Sequence, residues 1–247
     1  MTQTLDIECS TPLPASPEEV WETVTTGSGN LRWVFKMEIE PRVGGIVSRG
    51  PSTVTAWEPP HHFACLRSED GFSALLAYRI EPRDGGSVMH TTIHREYGKP
   101  IDDLDFQRDI AEKHTNFYNH TLGQYLSHFK GRPAAFVELL APPGSQAPDA
   151  LLRLRRRLGL PDDVAEGDTV RVELPEVGPQ DAVVDYLHPA FLGVRTRDGL
   201  YRFFGRNAWG WPIGVSLHLF AEGVDEAKTE QLWRTWLDEA FRPETRP

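Results

Sequence analysis

The sequence predicts an α+β chain of two successive units, and three observations carry the prediction. Short runs from Phe35 to Tyr97 alternate apolar and polar residues with a period of two. Apolar residues then recur with a helical period from Asp102 to Lys130, and a second, shorter series of strands closed by one helix runs from Thr169 to Phe241.

Leu5 to Thr11 reads as a short strand. The next four-residue run, Ser16-Pro17-Glu18-Glu19, starts a helix: Ser16 caps the free amides, Pro17 takes the first helical position where its missing N–H costs nothing, and Glu19 reaches back to close a capping box. That helix buries Val20, Trp21 and Val24 and stops at Gly27-Ser28-Gly29. Turn signals at Gly44-Gly45, Pro59-Pro60, Asp70-Gly71 and Asp84-Gly85-Gly86 divide the following segment into strands at Thr53 to Trp57, Phe63 to Arg67, Ser73 to Glu81 and Ser87 to Glu96. These make an antiparallel meander, with Asp84-Gly85 as a strong hairpin turn.

On a helical wheel with Phe106 at zero, Ile110, Ala111, Phe117, Tyr118, Leu122, Tyr125, Leu126 and Phe129 fall within an arc of about 200°. Asp109, Glu112, Lys113, Asn116, Asn119 and His120 take the rest, and Gly131 and Pro133 end the helix. The order is that of a helix-grip fold, an antiparallel curved sheet wrapped round a long C-terminal helix, with a cavity between them.

The predicted organisation is a helix-grip domain over 1–132, a Pro/Gly/Ser-rich linker over 133–149 and a smaller α+β domain over 150–247. In the last, Ala150 to Leu160 reads as a helix. Strands follow at Thr169 to Leu174, Ala182 to Leu187, Phe191 to Thr196, Gly199 to Phe204 and Ile213 to Phe220, then a helix over Val224 to Phe241. It reads either as a truncated helix-grip repeat, lacking a convincing copy of the Ser16 to Val24 helix, or as a completion of the first domain's surface.

A chain of 247 residues with 39% hydrophobic and 25% charged residues can bury a real core. Its net charge of −10, with 13 basic and 18 acidic residues on each side of the 132/133 boundary, disfavours nucleic acid, whose affinity rests on Lys and Arg displacing counterions. The one basic run, Arg153 with Arg155, Arg156 and Arg157, reads as a solvated helix face. No apolar run approaches the roughly 20 residues that span a bilayer, and Met1 to Pro12 lacks the pattern of a secretory signal. Cys9 and Cys65, far apart, suit a reducing compartment, so the expected location is cytoplasmic.

Several motifs then resemble, in order, those of AHSA1-type domains in the SRPBCC superfamily, the Bet v 1/START-like helix-grip proteins. Pro14 to Trp21 followed by Leu31-Arg32-Trp33 is similar to the family's opening, and Glu40-Pro41-Arg42-Val43-Gly44-Gly45 to its Gly-Gly turn. The stretch from Val54 to Phe63 resembles its strand into a Pro-Pro turn, and that from Tyr78 to Ser87 the next hairpin. The resemblance covers about residues 5–132. It implies a mostly bacterial group that shares a pocket more than a reaction, with polyketide aromatase/cyclases and a chaperone-activating branch as relatives.

No catalytic, metal or cofactor motif accompanies the fold. His90 and His94 share a strand face but sit roughly 13 Å apart at the backbone, and His114, His120 and His128 lack the i, i+4 spacing of paired helical ligands. Gly71-Phe72-Ser73-Ala74-Leu75 and Gly214-Val215-Ser216-Leu217-His218 lack the closing glycine of a nucleophile elbow. Gly27-Ser28-Gly29-Asn30-Leu31-Arg32 lacks the third glycine of a dinucleotide fingerprint.

The candidate ligand-binding residues are His114, Tyr118, Thr121 and Tyr125, which fall in the middle of the helix's apolar arc, and Trp33, Trp57 and Tyr78 from the first half. Each also fits a plain core role with its polar atom satisfied locally. The expected function is non-enzymatic binding of a small hydrophobic or aromatic molecule between sheet and helix, with no cofactor and no membrane or nucleic-acid partner. Two alternatives stand beside it: a polyketide aromatase/cyclase-like enzyme using His114 or Tyr118 as acid or base, and a chaperone-regulator-type interaction module acting through the outer sheet or the aromatic loop near Trp209 and Trp211. A protein partner or homo-oligomer fits the sequence as well.

Overall fold

Ser16 closes the capping box that the sequence predicts: its hydroxyl accepts from the Glu19 amide at 3.3 Å, and the Glu19 carboxylate accepts from the Ser16 amide at 2.9 Å. The computed structural model describes residues 2–50 and 52–242. It divides into two units, Met1–Gly131 and Arg132–Pro247.

The first unit runs β1 (Gln3–Leu13), α1 (Pro17–Thr25), α2 (Gly27–Asn30), β2 (Ile46–Val47), β3 (Ser52–Glu58), β4 (His62–Glu69), β5 (Phe72–Arg83), β6 (Gly86–Tyr97) and α3 (Leu104–His128). Its six strands pair antiparallel in the order β1-β6-β5-β4-β3-β2. The Asp84-Gly85 hairpin forms as expected, with Arg83 opposite Gly86 and Gly85 at φ 79°, a conformation glycine adopts without strain. The single turn of α2 and the two residues of β2 are too short to carry a periodic signal, and the sequence pattern does not reveal them.

Helix α3 starts where the Asp103 carboxylate accepts from the Phe106 amide at 3.0 Å, and it packs along β1 with Ala111 on Leu5 and Ile7. A long helix laid against an antiparallel sheet is the helix-grip arrangement. The wheel misplaces two side chains. Phe106, taken as the origin of the apolar arc, is exposed, whereas Asn119, assigned to the polar arc, is buried. The Asn119 side-chain nitrogen faces Cys9 Sγ at 3.0 Å, Thr11 Oγ1 at 3.2 Å and Thr91 Oγ1 at 3.4 Å as a donor, so it is met by the sheet rather than by water.

The second unit runs β7 (Ala135–Leu140), α4 (Ala150–Arg157), β8 (Thr169–Leu174), β9 (Gly178–His188), β10 (Phe191–Thr196), β11 (Gly199–Phe204), β12 (Gly214–Leu219) and α5 (Glu226–Ala240), with 3-10 turns at Pro143–Gln146 and Arg206–Trp209. Its strand order, β7-β12-β11-β10-β9-β8, repeats that of the first sheet. Two expectations are corrected here. The segment 133–149 is not a linker, because Ala135–Leu140 pairs with β12 and buries Val137 and Leu139. Nor is the second unit truncated: β7 stands where β1 does, and α4 occupies the place of α1, so strand, helix, five strands and helix recur in full. Helices α4 and α5 bury Leu151, Leu154, Trp233 and Leu237 against Val172, Val194, Phe203 and Val215 of the sheet.

Within that sheet Arg202 and Asp185 form a fully buried two-pronged ion pair, both bonds 2.7 Å long. The guanidinium lies so close over β10 that a Cβ on Gly193 would meet it.

Candidate functional site

Strand register places two rows of side chains on the face of the first sheet that meets α3. Val54, Cys65, Leu76, Ile93 and Ile7 are direct neighbours across β3, β4, β5, β6 and β1. Two residues along each strand, on the same face, the next row reads Ser52, Arg67, Ala74, Arg95 and Leu5. An apolar row thus borders one that carries two guanidinium groups on either side of an alanine.

A cavity of about 320 Å³ lies over these rows. Its floor is Cys65, Leu76, Ile93, Arg67, Ala74 and Arg95, and its cover comes from the segment between α2 and β3 through Phe35, Met37, Val47 and Arg49. The Arg49 guanidinium carbon sits 3.3 Å from the centroid of the Phe35 ring, a cation–π contact that holds two cover residues together. Arg67 binds Glu69 through Nε at 2.9 Å and Nη2 at 2.6 Å, an exposed pair at the hairpin end of β4. No carboxylate pairs with Arg95 among the described residues.

The lining supplies no general acid or base. Arginine stays charged at any working pH, and burial pushes the Cys65 thiol up to about 11, which leaves it protonated and unreactive. Burial also raises the Tyr78 phenol far above its ordinary range and the Cys9 thiol above its own.

The seven residues singled out from the sequence fall into three places. Tyr118 meets Phe35 edge-on at 5.8 Å and lies 6.4 Å from the His114 ring, so these two stand directly behind the cavity's cover. His114 donates through Nδ1 to the Ile110 carbonyl at 2.8 Å. Trp57 and Tyr78 belong to an aromatic chain, Trp21 to Trp57 at 5.0 Å, Trp57 to Phe63 at 6.1 Å and Phe63 to Tyr78 at 5.9 Å, which fills the space between α1 and the sheet. Trp33 is buried, Thr121 donates to the Phe117 carbonyl at 2.9 Å, and the Tyr125 hydroxyl accepts from Arg32 at 3.1 Å and from the Gly131 amide at 3.2 Å. None of the seven lines the 320 Å³ cavity itself. Its actual lining, Phe35 and Arg49 with the Arg67 to Arg95 row, lay outside the sequence argument because charged residues alternating along a strand read as a solvent face.

The second unit holds a cavity of about 360 Å³ at the corresponding end of its sheet, beside the β10–β11 turn and the entry to α5. Thr196, Asp198, Leu219, Val224, Lys228 and Leu232 line it, and so does Glu176. The Glu176 carboxylate accepts from Tyr201 Oη at 2.7 Å and from Trp233 Nε1 at 2.6 Å, and burial raises its pKa despite those bonds. Among the described residues no group of three or more His, Cys, Asp or Glu side chains could hold a metal ion, and no helix is long and apolar enough to cross a membrane.

Fold and site together define a two-unit helix-grip chain with a cavity in each unit. Solved structures resemble it over about half its length. A Bacillus halodurans protein solved in solution is 20% identical over 51% of this chain and 99% of its own, at a TM-score of 0.42. A Staphylococcus saprophyticus protein is 16% identical over 50% and 92%, at 0.42. CalU16 of Micromonospora echinospora is 15% identical over 51% and 77%, at 0.39. No family model and no curated protein matches the chain.

Proposed function

We propose that the first unit is a non-enzymatic binding module for a small hydrophobic or aromatic molecule, of the SRPBCC type that its Pro14 to Trp33 and Val54 to Phe63 motifs resemble. The ligand occupies the cavity between the Cys65, Leu76 and Ile93 floor and the Phe35, Met37 and Val47 cover. The observation that carries this reading is the cavity's combination of size and lining. About 320 Å³ lies at the lower end of the range of small-molecule sites, and the mainly apolar lining makes burial of ligand carbon the source of affinity. Tyr118 acts one step back, packed edge-on against the Phe35 ring, with the His114 ring beside it. With permanently charged arginines and a protonated thiol as its only ionisable groups, the lining favours binding over turnover.

The test is a fluorescence titration of the full chain with N-phenyl-1-naphthylamine, a neutral aromatic probe. Saturable binding at one site, lost when Ala74→Trp fills the floor, is the expected result. A wild-type protein that gives no saturable signal contradicts the reading.

A further inference from the structure

We infer that the ligand of this cavity is an apolar molecule ending in a carboxylate, and that Arg95 and Arg67 receive that group at the mouth. The inference rests on the reading of the cavity as a ligand site and adds the chemistry of its ligand.

Cross-strand pairing gives the geometry. Arg67 on β4 and Arg95 on β6 both stand opposite Ala74 on β5, two strand spacings apart, about 10 Å at the backbone. Arg49 reaches the same cavity from its cover. Three guanidinium groups therefore border one small space in a chain whose net charge is −10. Ala74 leaves the ground between the two sheet arginines open, where a larger residue would fill it. The apolar row, Cys65, Leu76 and Ile93, lies immediately inward, so a ligand with its carbon body on that row ends level with the arginines. Such a rim, partly screened from water, concentrates positive potential and attracts anions. Among anions a carboxylate suits it well, because its two oxygens accept the parallel N–H bonds that a guanidinium fork presents.

The fold itself does not demand these cations. In the second unit, the cavity at the corresponding end of the sheet presents Thr196, Asp198 and Leu219 from its strands, with no arginine in its lining and Lys228 of α5 as its cation. Nor are the two sheet arginines committed elsewhere in full: Arg67 has an exposed carboxylate partner in Glu69 and lies over the Phe72 ring at 5.7 Å, and no carboxylate pairs with Arg95 among the described residues.

The experiment compares 2-naphthoate with 2-naphthamide, which share a ring system and differ in charge, by displacement of N-phenyl-1-naphthylamine from the full chain. The inference expects the carboxylate to bind at least about tenfold more tightly, the scale of one charge-assisted hydrogen bond. The gap should close in Arg95→Gln, persist largely in Arg95→Lys, and narrow as salt is raised, a readout that needs no variant to fold. Equal binding of acid and amide, or tighter binding of the amide, overturns the carboxylate while leaving the cavity reading intact. If the neutral probe and both naphthalenes fail to bind, the cavity reading fails and the inference falls with it.

Discussion

The guanidinium of Arg49 covers the ring of Phe35 at 3.3 Å, so a side-chain contact ties together the segment that roofs the first-unit cavity, beside the pairing of Val47 with Ser52. Phe35 in turn rests edge-on against Tyr118 of α3 at 5.8 Å. Replacing Phe35 by alanine removes the partner of both contacts. The expected outcome is a loss of about tenfold or more in affinity for N-phenyl-1-naphthylamine, from lost aromatic contact and a loosened cover. Thermal stability should change modestly, because Phe35 is only part-buried. Titration and a melting curve of Phe35→Ala check both.

Asn119 fastens α3 to β1 and β6 through Cys9, Thr11 and Thr91. Its truncation to alanine leaves hydroxyls in a buried setting without that partner and opens a small void. Urea denaturation of Asn119→Ala should show a loss of about 1–3 kcal/mol.

The Arg202–Asp185 pair gives an asymmetric prediction. Asp185→Ala strands a buried guanidinium and should destabilise by about 3–5 kcal/mol. Replacing both, Arg202→Met with Asp185→Leu, should recover much of that loss, because an apolar pair needs no compensation. Denaturant unfolding of the single and double variants decides whether the pair acts as described.

His94 predicts a pH dependence. Its Nδ1 donates to Asp6 at 2.6 Å, and this bond, followed by the contact with Glu96, raises the imidazole pKa in the folded protein. A raised folded value means the protonated form is favoured on folding. Its contribution is therefore complete below the ordinary histidine value of about 6.5 and is lost as pH rises through the folded value. Stability measured from pH 5.5 to 8 should fall more steeply in the wild type than in Asp6→Asn. The difference is small, since solvent screens this half-exposed pair.

Much of the architecture was legible because it rests on local rules. The Ser16 capping box, the Asp84-Gly85 turn and the strands Thr169–Leu174, Phe191–Thr196 and Gly199–Phe204 all lie where pattern and turn chemistry put them. The failures come from long-range choices. Ala135–Leu140 is apolar at every position but Glu138 and so shows no period of two, the prolines at 142, 143 and 148 dominate its neighbourhood, and only pairing with β12 turns it into a strand. Without that strand, the second unit looks incomplete. Asn119 sits at helical spacing from Ala111, Thr115, Leu122 and Leu126, a column that faces the sheet, but its polarity hid the column. The candidate site was the least legible part. Arg67, Ala74 and Arg95 become neighbours only through the register of three strands, and Phe35 joins them from a segment without periodicity.

The most direct test of the account is methyl-detected NMR on the full chain during titration with N-phenyl-1-naphthylamine, reading Met37, Val47, Leu76 and Ile93 of the first-unit cavity against Leu219, Val224 and Leu232 of the second. The account predicts saturable shifts at the first set with the second set unmoved. Shifts confined to the second set, or spread evenly over the surface without saturation, would contradict it.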